Sequence, residues 1–316
     1  MTHPYHIPAL LKETLTQLQL QPDGVFVDAT YGGGGHSRAI LEHLGEDGHL
    51  YAFDRDADAI ARAEEDPRLT LIHGNFRYLA NFLRFYGATK VDGILADLGV
   101  SFHHFDDAER GFSFRADGPL DMRMNRSASL TAAQILNTYS EEQLKDIFKV
   151  YGEFADAGKL ARQIVKTRDT KPYAKVSDLM DTVSPMLNPR REKKDLACIF
   201  QALRIEVNDE MGALRDFLEA SIRVLRPGGR LCVITYHSLE DRLVKNFMRA
   251  GNFAGKVEQD FFGNINAPLK SLTNKPITPD DDEVSANPRS RSAKLRVAEL
   301  RSDASESSTV QKTKRL

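Results

Sequence analysis

Residues 25–37 read VFVDATYGGGGHS, and this stretch decides the fold class of the chain. A short apolar run that ends in an acidic residue predicts a buried strand, and the four glycines behind it predict a turn with no room for side chains. Residues 37–44 then predict a helix. Strand, glycine turn and helix in this order form the cradle that α/β proteins use for the nucleoside part of a cofactor.

Strand and helix patterns alternate through the first part of the chain. The predicted strands occupy residues 25–28, 49–54, 69–73 and 91–97, and the helices between them occupy residues 37–44 and 57–65. This alternation predicts an α/β fold with a parallel sheet and helices on its faces. A further helix is predicted to open the chain at Pro8, because proline is favoured in the first turn of a helix.

A fifth strand follows only after a long interruption. It is predicted at residues 230–236, behind an amphipathic helix over residues 214–225 that ends at Pro227 and the glycines after it. Residues 257–262 and 293–300 are candidates for the strands that finish the sheet. The stretch between these two segments is rich in Pro, Asp and Asn and is predicted to be a loop or partly ordered.

The interruption, residues 113–208, is predicted to be an inserted helical domain. Residues 140–143 read SEEQ, a capping-box pattern, and apolar residues follow it on one helix face. Residues 158–194 hold ten Lys or Arg against four Asp or Glu, a net charge of +6. The densest part of this stretch is the cluster Arg190, Arg191, Lys193 and Lys194. Such a cluster is either a solvated helix face or a surface that contacts phosphates.

Composition and charge bound the remaining possibilities. The chain has 316 residues and a net charge of −2, so no nucleic-acid partner follows from the overall charge. Cys198 and Cys232 form no CxxC pair, which is typical of a reducing cytosol. No signal peptide or membrane span is predicted, so we expect a cytoplasmic protein with no membrane partner. Residues 1–112 and 209–300 form the predicted discontinuous core, and residues 301–316 a disordered tail.

The residues around the glycine turn narrow the choice of cofactor. No Lys-Ser or Lys-Thr follows the glycines, which excludes a P-loop, and the glycine spacing does not meet the GxGxxG pattern of dinucleotide sites. Asp28 ends the first strand just before the turn, where a carboxylate would crowd a pyrophosphate but would favour the ammonium and sulfonium groups of S-adenosylmethionine (AdoMet). AdoMet is therefore the predicted cofactor.

Three more candidate residues follow the ends of predicted strands. Asp54 lies 22 positions after Gly32, where a carboxylate can accept hydrogen bonds from both ribose hydroxyls. Phe76 follows the third strand and lies either against the adenine or in the core. Asp97 ends the fourth strand over the middle of the sheet, where ligands bind in such folds.

Polar residues beyond the fourth and fifth strands indicate the kind of methyl acceptor. The exocyclic amine of a nucleobase is a poor nucleophile, so its methylation needs hydrogen-bond acceptors near the sulfonium and an aromatic platform. Asp97 and Ser101 offer an acceptor and a hydroxyl. His237 positions the base, takes up the released proton, or is a structural histidine. No metal is expected, because methyl transfer needs none and the adjacent histidines at 103–104 cannot easily converge on one ion.

Long motifs then identify a family. The chain resembles the MraW family, the bacterial small-subunit ribosomal RNA methyltransferases H, over nearly its whole length, from HIPALLKE to NPRSRSAKLRVAE. The most specific motifs are DDAERGFSFRADGPLDMRM at residues 106–124, FQALRIEVNDE at residues 200–210 and YHSLEDRLVKNFMR at residues 236–249. The resemblance implies a class I, Rossmann-like AdoMet-dependent methyltransferase core with a helical insertion. It also implies N4-methylation of a cytidine in the decoding region of 16S rRNA.

The resemblance further implies a set of AdoMet contacts by position. They are Gly34, Gly35, His36, Asp54, Phe76, Asp97 and His104. His104 stands where the family usually has a glutamine, and an imidazole can still form one hydrogen bond there. Gly33 stands where other members carry a larger residue, which should only loosen the turn.

The segment at residues 109–124 is expected to wall the methyl-donor pocket. Its arginines, Arg110, Arg115 and Arg123, either contact RNA phosphates or pair with Asp117 and Asp121 to hold the loop.

Alternatives remain for the function. Another RNA, DNA or a protein stays possible as the target, because a fold does not determine a substrate. A binding module without activity is disfavoured by the three acidic residues at strand ends. The sequence leaves open the oligomeric state and whether the substrate is free 16S rRNA or the small ribosomal subunit.

Overall fold

The computed structural model describes residues 8–99, 107–263 and 265–302. The chain divides into two compact units. Unit 1 contains the described residues of Met1–Gly99 and Gly212–Leu316, and unit 2 contains those of Val100–Met211. The predicted insertion, residues 113–208, lies within the range of unit 2.

The helices and strands are as follows. The strands are β1 (Val25–Asp28), β2 (His49–Asp54), β3 (Leu69–His73), β4 (Val91–Asp97), β5 (Leu225–Thr235), β6 (Leu269–Ser271) and β7 (Lys294–Leu300). The helices are α1 (Leu11–Leu18), α2 (Gly35–Leu41), α3 (Ala57–Ala61), α4 (Leu79–Phe85), α5 (Ala132–Thr138), α6 (Glu141–Val150), α7 (Ala157–Arg168), α8 (Val176–Val183), α9 (Glu192–Asn208), α10 (Glu210–Val224), α11 (Ser238–Ala250) and α12 (Asp281–Ala286).

The strands of unit 1 form one sheet in the order β3-β2-β1-β4-β5-β7-β6. Neighbouring strands from β3 across to β5 pair in parallel, whereas β7 is antiparallel to both β5 and β6. The strand order reverses between β1 and β4, and ligands bind beyond the carboxyl ends of strands at such a reversal. Asp28 and Asp97 end these two strands. The predicted α/β, Rossmann-like class I fold is confirmed.

The first four strands follow the predicted ranges residue for residue. Strands β2 and β4 each contain four consecutive buried residues, because helices cover both faces of a parallel sheet. Long apolar runs of this kind, bounded by acidic and glycine residues, are therefore easy to recognise in the sequence.

Three predictions at other elements are wrong in detail. Helix α1 begins at Leu11 and not at Pro8, because Leu10 has a left-handed backbone with φ of 54°. Strand β5 begins at Leu225, with an irregularity in its pairing to β4 before Arg230. Residues 257–262 form no strand: they contribute a single bridge to Ile265, and β6 takes the edge position of the sheet.

Unit 2 contains the helices α5 to α9, which pack around a core of their own. The predicted capping box is confirmed, since the Ser140 side chain accepts from the N–H of Gln143 and the Gln143 side chain accepts from the N–H of Ser140. The apolar face behind it is buried through Leu144, Ile147 and Phe148. No helix within the described ranges has the length and apolar character needed to cross a membrane.

Candidate active site

A buried carboxylate holds the glycine turn of unit 1 in place. Asp28 is 0% exposed. Its Oδ2 accepts a hydrogen bond from Ser37 Oγ at 2.7 Å, and its Oδ1 accepts from the N–H of Thr30 at 3.0 Å. Burial raises the pKa of Asp28, while the Ser37 and Thr30 hydrogen bonds favour the ionised form. The expectation that Asp28 faces the positive groups of the cofactor is therefore replaced by a structural role within the turn.

The turn needs glycine at one position and tolerates a side chain at another. Gly34 has a φ of 74°, and a Cβ placed there would lie 2.7 Å from the Tyr31 hydroxyl oxygen. A Cβ at Gly33 would meet no atom within 4 Å. A larger residue at Gly33 is thus compatible with the turn, and a side chain at Gly34 is not.

Asp54 connects the end of β2 to the same turn. Its Oδ2 accepts from the N–H of Gly32 at 2.8 Å, and its Oδ1 accepts from the N–H of Asp56 at 2.8 Å. Each carboxylate oxygen can accept a second hydrogen bond. Asp54 is half-buried, so hydroxyl donors such as those of a ribose can reach its carboxylate.

Thr30 links the turn to Asp97 at the end of β4. The N–H of Asp97 donates to Thr30 Oγ1 at 2.6 Å, and the same hydroxyl donates to Asp28 Oδ1 at 3.4 Å. The three predicted acidic residues at strand ends are thus connected through one turn: Asp28 and Asp97 by way of Thr30, and Asp54 by way of Gly32.

The Asp97 carboxylate lies at the end of β4, the position at which the sequence predicts a hydrogen-bond acceptor. Its side chain is 22% exposed, and Oδ1 accepts a hydrogen bond from the Tyr236 hydroxyl at 2.8 Å. Burial raises the pKa of Asp97 to about 6, against the opposite effects of His36 and of the Tyr236 hydrogen bond. Asp97 is mainly ionised at neutral pH but takes up a proton more readily than an exposed aspartate.

His36 is buried, and its ring has an internal partner. Nε2 lies 3.2 Å from the carbonyl oxygen of Ala9, and a carbonyl only accepts, so the proton is assigned to Nε2. Nδ1 lies 3.7 Å from Asp97 Oδ2. Burial lowers the pKa of His36, although the nearby Asp97 opposes this effect. A neutral imidazole results at neutral pH.

Tyr236 was missed as a site residue by the sequence analysis, which singled out its neighbour. A signal was available: Asp97 pairs with Ile234 in the β4–β5 register, so the residue just beyond β5 lies beside the end of β4. The hydrogen bond to Asp97 raises the pKa of Tyr236, after the larger effect of burial, and keeps the phenol protonated as a donor.

His237 caps helix α11. Its Nδ1 accepts from the N–H of Glu240 at 3.4 Å, and its Nε2 lies 3.0 Å from Glu240 Oε1. Glu240 is itself buried, and its Oε2 accepts from the N–H of Tyr236 at 3.0 Å. Both ring nitrogens of His237 therefore face its own helix, which is the structural role considered for this residue. The other predicted polar residues, Ser101 and His104, lie outside the described residues.

Phe76 begins a short 3₁₀ turn (Phe76–Tyr78) after β3. Its ring packs edge-to-face on Phe217 with centroids 5.3 Å apart, and the residue is half-buried. One side of the ring thus contributes to the core, which leaves part of its surface for a stacking partner.

Two arginines of residues 106–124 hold their own loop. Arg110 is buried, and its Nη2 donates to the carbonyl oxygens of Arg123 and Met124 at 3.0 and 3.1 Å. Arg123 forms a bidentate pair with Asp121, with both distances 2.7 Å. Arg123 thus forms the predicted pair with Asp121, whereas Arg110 holds the loop through backbone carbonyl oxygens. Arg115 is exposed.

The basic cluster of unit 2 is accessible. Its four members are all exposed: Arg190, Arg191, Lys193 and Lys194. Arg191 has a weak partner, since its Nη2 lies 3.5 Å from Asp195 Oδ1. Exposed cations with so little internal pairing remain available for phosphates.

The residues of unit 1 fit AdoMet. The turn leaves no space for a side chain at Gly34. The half-buried Asp54 provides carboxylate oxygens at the position expected for a ribose, and Asp97 provides a further acceptor at the strand reversal. A cofactor with hydroxyl donors and a positive sulfonium matches this set of acceptors.

Comparisons with known proteins agree with this fit. The family model described as "MraW methylase family" matches residues 3–301. The ribosomal RNA small subunit methyltransferase H of Parabacteroides distasonis is 60% identical over 296 residues, which cover 93% of this chain and 97% of the relative. The protein of the same name from Phocaeicola vulgatus is 57% identical over 297 residues, which cover 94% and 98%. The chain therefore belongs to the MraW methylase family, and it is an AdoMet-dependent methyltransferase.

Proposed function

We propose that this chain methylates N4 of a cytidine in the decoding region of 16S rRNA, as free rRNA or in the small ribosomal subunit. The observation that carries the proposal is the Asp97–Tyr236 pair, a half-buried and oriented hydrogen-bond acceptor at the strand reversal beside the glycine turn. The names of the relatives support ribosomal RNA as the substrate. A cytoplasmic location follows from this substrate.

The glycine turn and the ends of β2 and β3 hold the cofactor. AdoMet supplies an electrophilic methyl group on a sulfonium when it is bound. The backbone of Gly34, Gly35 and His36 lines the turn, Asp54 would accept from the ribose hydroxyls, and Phe76 would lie against the adenine. His104 takes the position of the family glutamine. His36 contributes through its backbone, because its ring is buried against Ala9.

Asp97 activates the acceptor amine. The lone pair of the cytosine amine is delocalised into the ring, so the nitrogen is a poor nucleophile. A carboxylate that accepts its N–H favours a lone pair that is localised on the nitrogen and directed out of the ring plane. Tyr236 donates to Asp97 Oδ1 and orients the carboxylate, which keeps further acceptor capacity for the amine. The new N–C bond would form as the bond from the methyl group to the sulfonium sulfur breaks, and the leaving sulfur becomes a neutral thioether. The amine nitrogen becomes cationic in this step, and one of its protons passes to the Asp97 carboxylate.

Two further residues, His237 and Ser101, are predicted to be catalytic, and they contribute in different ways. His237 acts through the position of Tyr236, because Glu240 contacts both residues. Ser101 follows Asp97 closely in the chain and stays a candidate to contact the base.

Binding the RNA is proposed for the helical insertion, residues 113–208. The exposed cluster at Arg190 and Arg191 supports this role, because it concentrates positive charge in a chain whose net charge is −2.

The reaction product tests the proposed function. Incubation of the purified protein with labelled AdoMet and either 16S rRNA or small subunits should place the label in N4-methylcytidine after digestion to nucleosides. Label in a different nucleoside or in protein would support the alternative target. No label transfer at all, with AdoMet bound, would support a binding module.

The turn should tolerate a side chain at Gly33 but not at Gly34. Gly34→Ala places a Cβ against Tyr31 in a left-handed backbone, which costs about 1–2 kcal/mol for a non-glycine residue. We expect AdoMet affinity to fall about tenfold or more in calorimetric titration. Gly33→Ala is the matched control and should bind normally. Equal affinities in the two variants would contradict this account of the turn.

The pH profile should report the Asp97–Tyr236 pair. Protonated Asp97 is a weaker acceptor and cannot take up the amine proton, so kcat/KM is expected to fall as the pH drops through about 6. Tyr236→Phe removes a hydrogen bond that lowers the pKa of Asp97, and the acid limb should therefore move to higher pH. Tyr78→Phe, at an exposed tyrosine of unit 1, is the control and should leave the profile in place. An acid limb that Tyr236→Phe does not move would refute the assignment.

The basic cluster should govern RNA binding alone. Arg190→Glu combined with Arg191→Glu is expected to weaken RNA binding several-fold and to flatten its dependence on salt, because fewer counterions are released. AdoMet affinity should not change. Lys149→Glu, at an exposed lysine of α6, controls for charge reversal elsewhere in unit 2. RNA affinity that stays at the wild-type value in the double variant would remove the cluster from the interface.

A further inference from the structure

Two phenylalanines of unit 1 are almost completely exposed at the tip of one loop. Phe261 is 99% exposed and Phe262 is 85% exposed. Their rings are edge-to-face with centroids 5.8 Å apart. Two adjacent large apolar side chains in water gain nothing from burial, so the pair is a candidate contact surface.

Local hydrogen bonds fix the tip that carries the two rings. The N–H of Gly263 donates to the carbonyl oxygen of Asp260 at 3.0 Å, and the N–H of Phe262 donates to Asp260 Oδ1 at 2.9 Å. Phe261 and Phe262 are thus the central residues of a turn. Central turn positions usually take small or polar residues, and a position that breaks a local rule is expected to serve a function.

The segment that leads to the tip is fastened to helix α11. Asn246 Nδ2 donates to the carbonyl oxygen of Phe253 at 3.1 Å, and Arg249 Nη2 donates to that of Gly255 at 2.9 Å. Phe253 also stacks on Phe247 with centroids 5.0 Å apart. The loop is therefore anchored at its base, and the phenylalanine pair projects from a supported segment.

Helix α11, to which the loop is anchored, carries a row of basic residues. Arg242, Lys245 and Arg249 are exposed and recur at helical spacing, so they form one stripe along α11. Residues 242–275 hold six Lys or Arg against two Asp or Glu, a net charge of +4 in a chain of net −2. The stripe and the phenylalanine pair together combine positive charge with exposed rings.

We propose that Phe261 and Phe262 form a stacking platform for unpaired bases of an RNA strand whose phosphates contact the basic stripe of α11. Proteins that bind single strands combine a positive surface with aromatic rings in this way, because every base has a face that can stack. The inference rests on the proposed function for the presence of RNA, and it adds a second contact region in unit 1.

The composition of the chain permits a direct test. The protein contains no tryptophan, so Phe262→Trp introduces a single reporter at the tip. Titration with a short oligocytidylate should quench its emission, because the base stacks on the indole. Phe261→Ala in the same background should weaken the affinity about tenfold. A blunt RNA duplex should quench far less.

Matched variants separate stacking and charge from general effects. Phe85→Trp places the same reporter at a phenylalanine that is 80% exposed at the end of α4, and its emission should not respond to the oligonucleotide. Lys245→Gln with Lys256→Gln should lower the slope of log Kd against log salt by about 0.7 per lost contact. Lys12→Gln, at an exposed lysine of α1, should leave the slope unchanged.

Several outcomes would overturn the inference. RNA that binds by filter assay without changing the emission of Phe262→Trp would exclude stacking at the tip. A blue shift with phosphatidylglycerol vesicles, or with rising protein concentration in the absence of RNA, and no response to oligocytidylate would assign the tip to a membrane or to a second copy of the chain.

The proposed function is tested separately. If the wild-type protein forms N4-methylcytidine while Phe261→Ala with Phe262→Ala leaves the KM for RNA unchanged, the stacking platform fails and the function stands. If the wild-type protein methylates no ribosomal RNA, the proposed function is wrong, whatever the emission of Phe262→Trp shows.

Discussion

The hydrogen bonds of Asp28 and Thr30 hold the whole candidate site together. Asp28 accepts from Thr30 and Ser37 on either side of the glycines, and Thr30 accepts from the N–H of Asp97 on the next strand. A buried carboxylate without such donors would destabilise the fold, so the donors and the carboxylate are needed together. The glycine turn and the end of β4, to which we assign the cofactor and the acceptor, are consequently fixed by one network.

The fold was largely predictable because its signals are local. Strands β1 to β4 appear in the sequence as short apolar runs between acidic residues and glycines, and helix α6 starts with a capping box that needs only residues 140–143. Residues 257–262, VEQDFF, misled the prediction because valine and phenylalanine are common in strands. The turn at Asp260 and Gly263 interrupts them, and it carries Phe261 and Phe262 outwards.

The site was predictable only in part, because its contacts join residues far apart in the chain. Asp54 and Asp97 follow from strand ends, but the partner of Asp97 is Tyr236, which lies 139 positions away. Only the pairing of β4 with β5 brings the two together. His36 and Arg110 look like ligand contacts by residue type, and both are buried with backbone carbonyls as partners. Burial is decided by packing, which a residue pattern does not contain.

The raised pKa of Asp97 has a consequence for folding. Because the folded chain holds a proton on this carboxyl up to about pH 6, it binds more protons than the unfolded chain between the usual value of 3.8 and that pH. The contribution of Asp97 to the free energy of unfolding is therefore largest in acid and is lost as the pH rises through about 6. At neutral pH the ionised group opposes the native state, and the packing of the surrounding sheet must compensate for it.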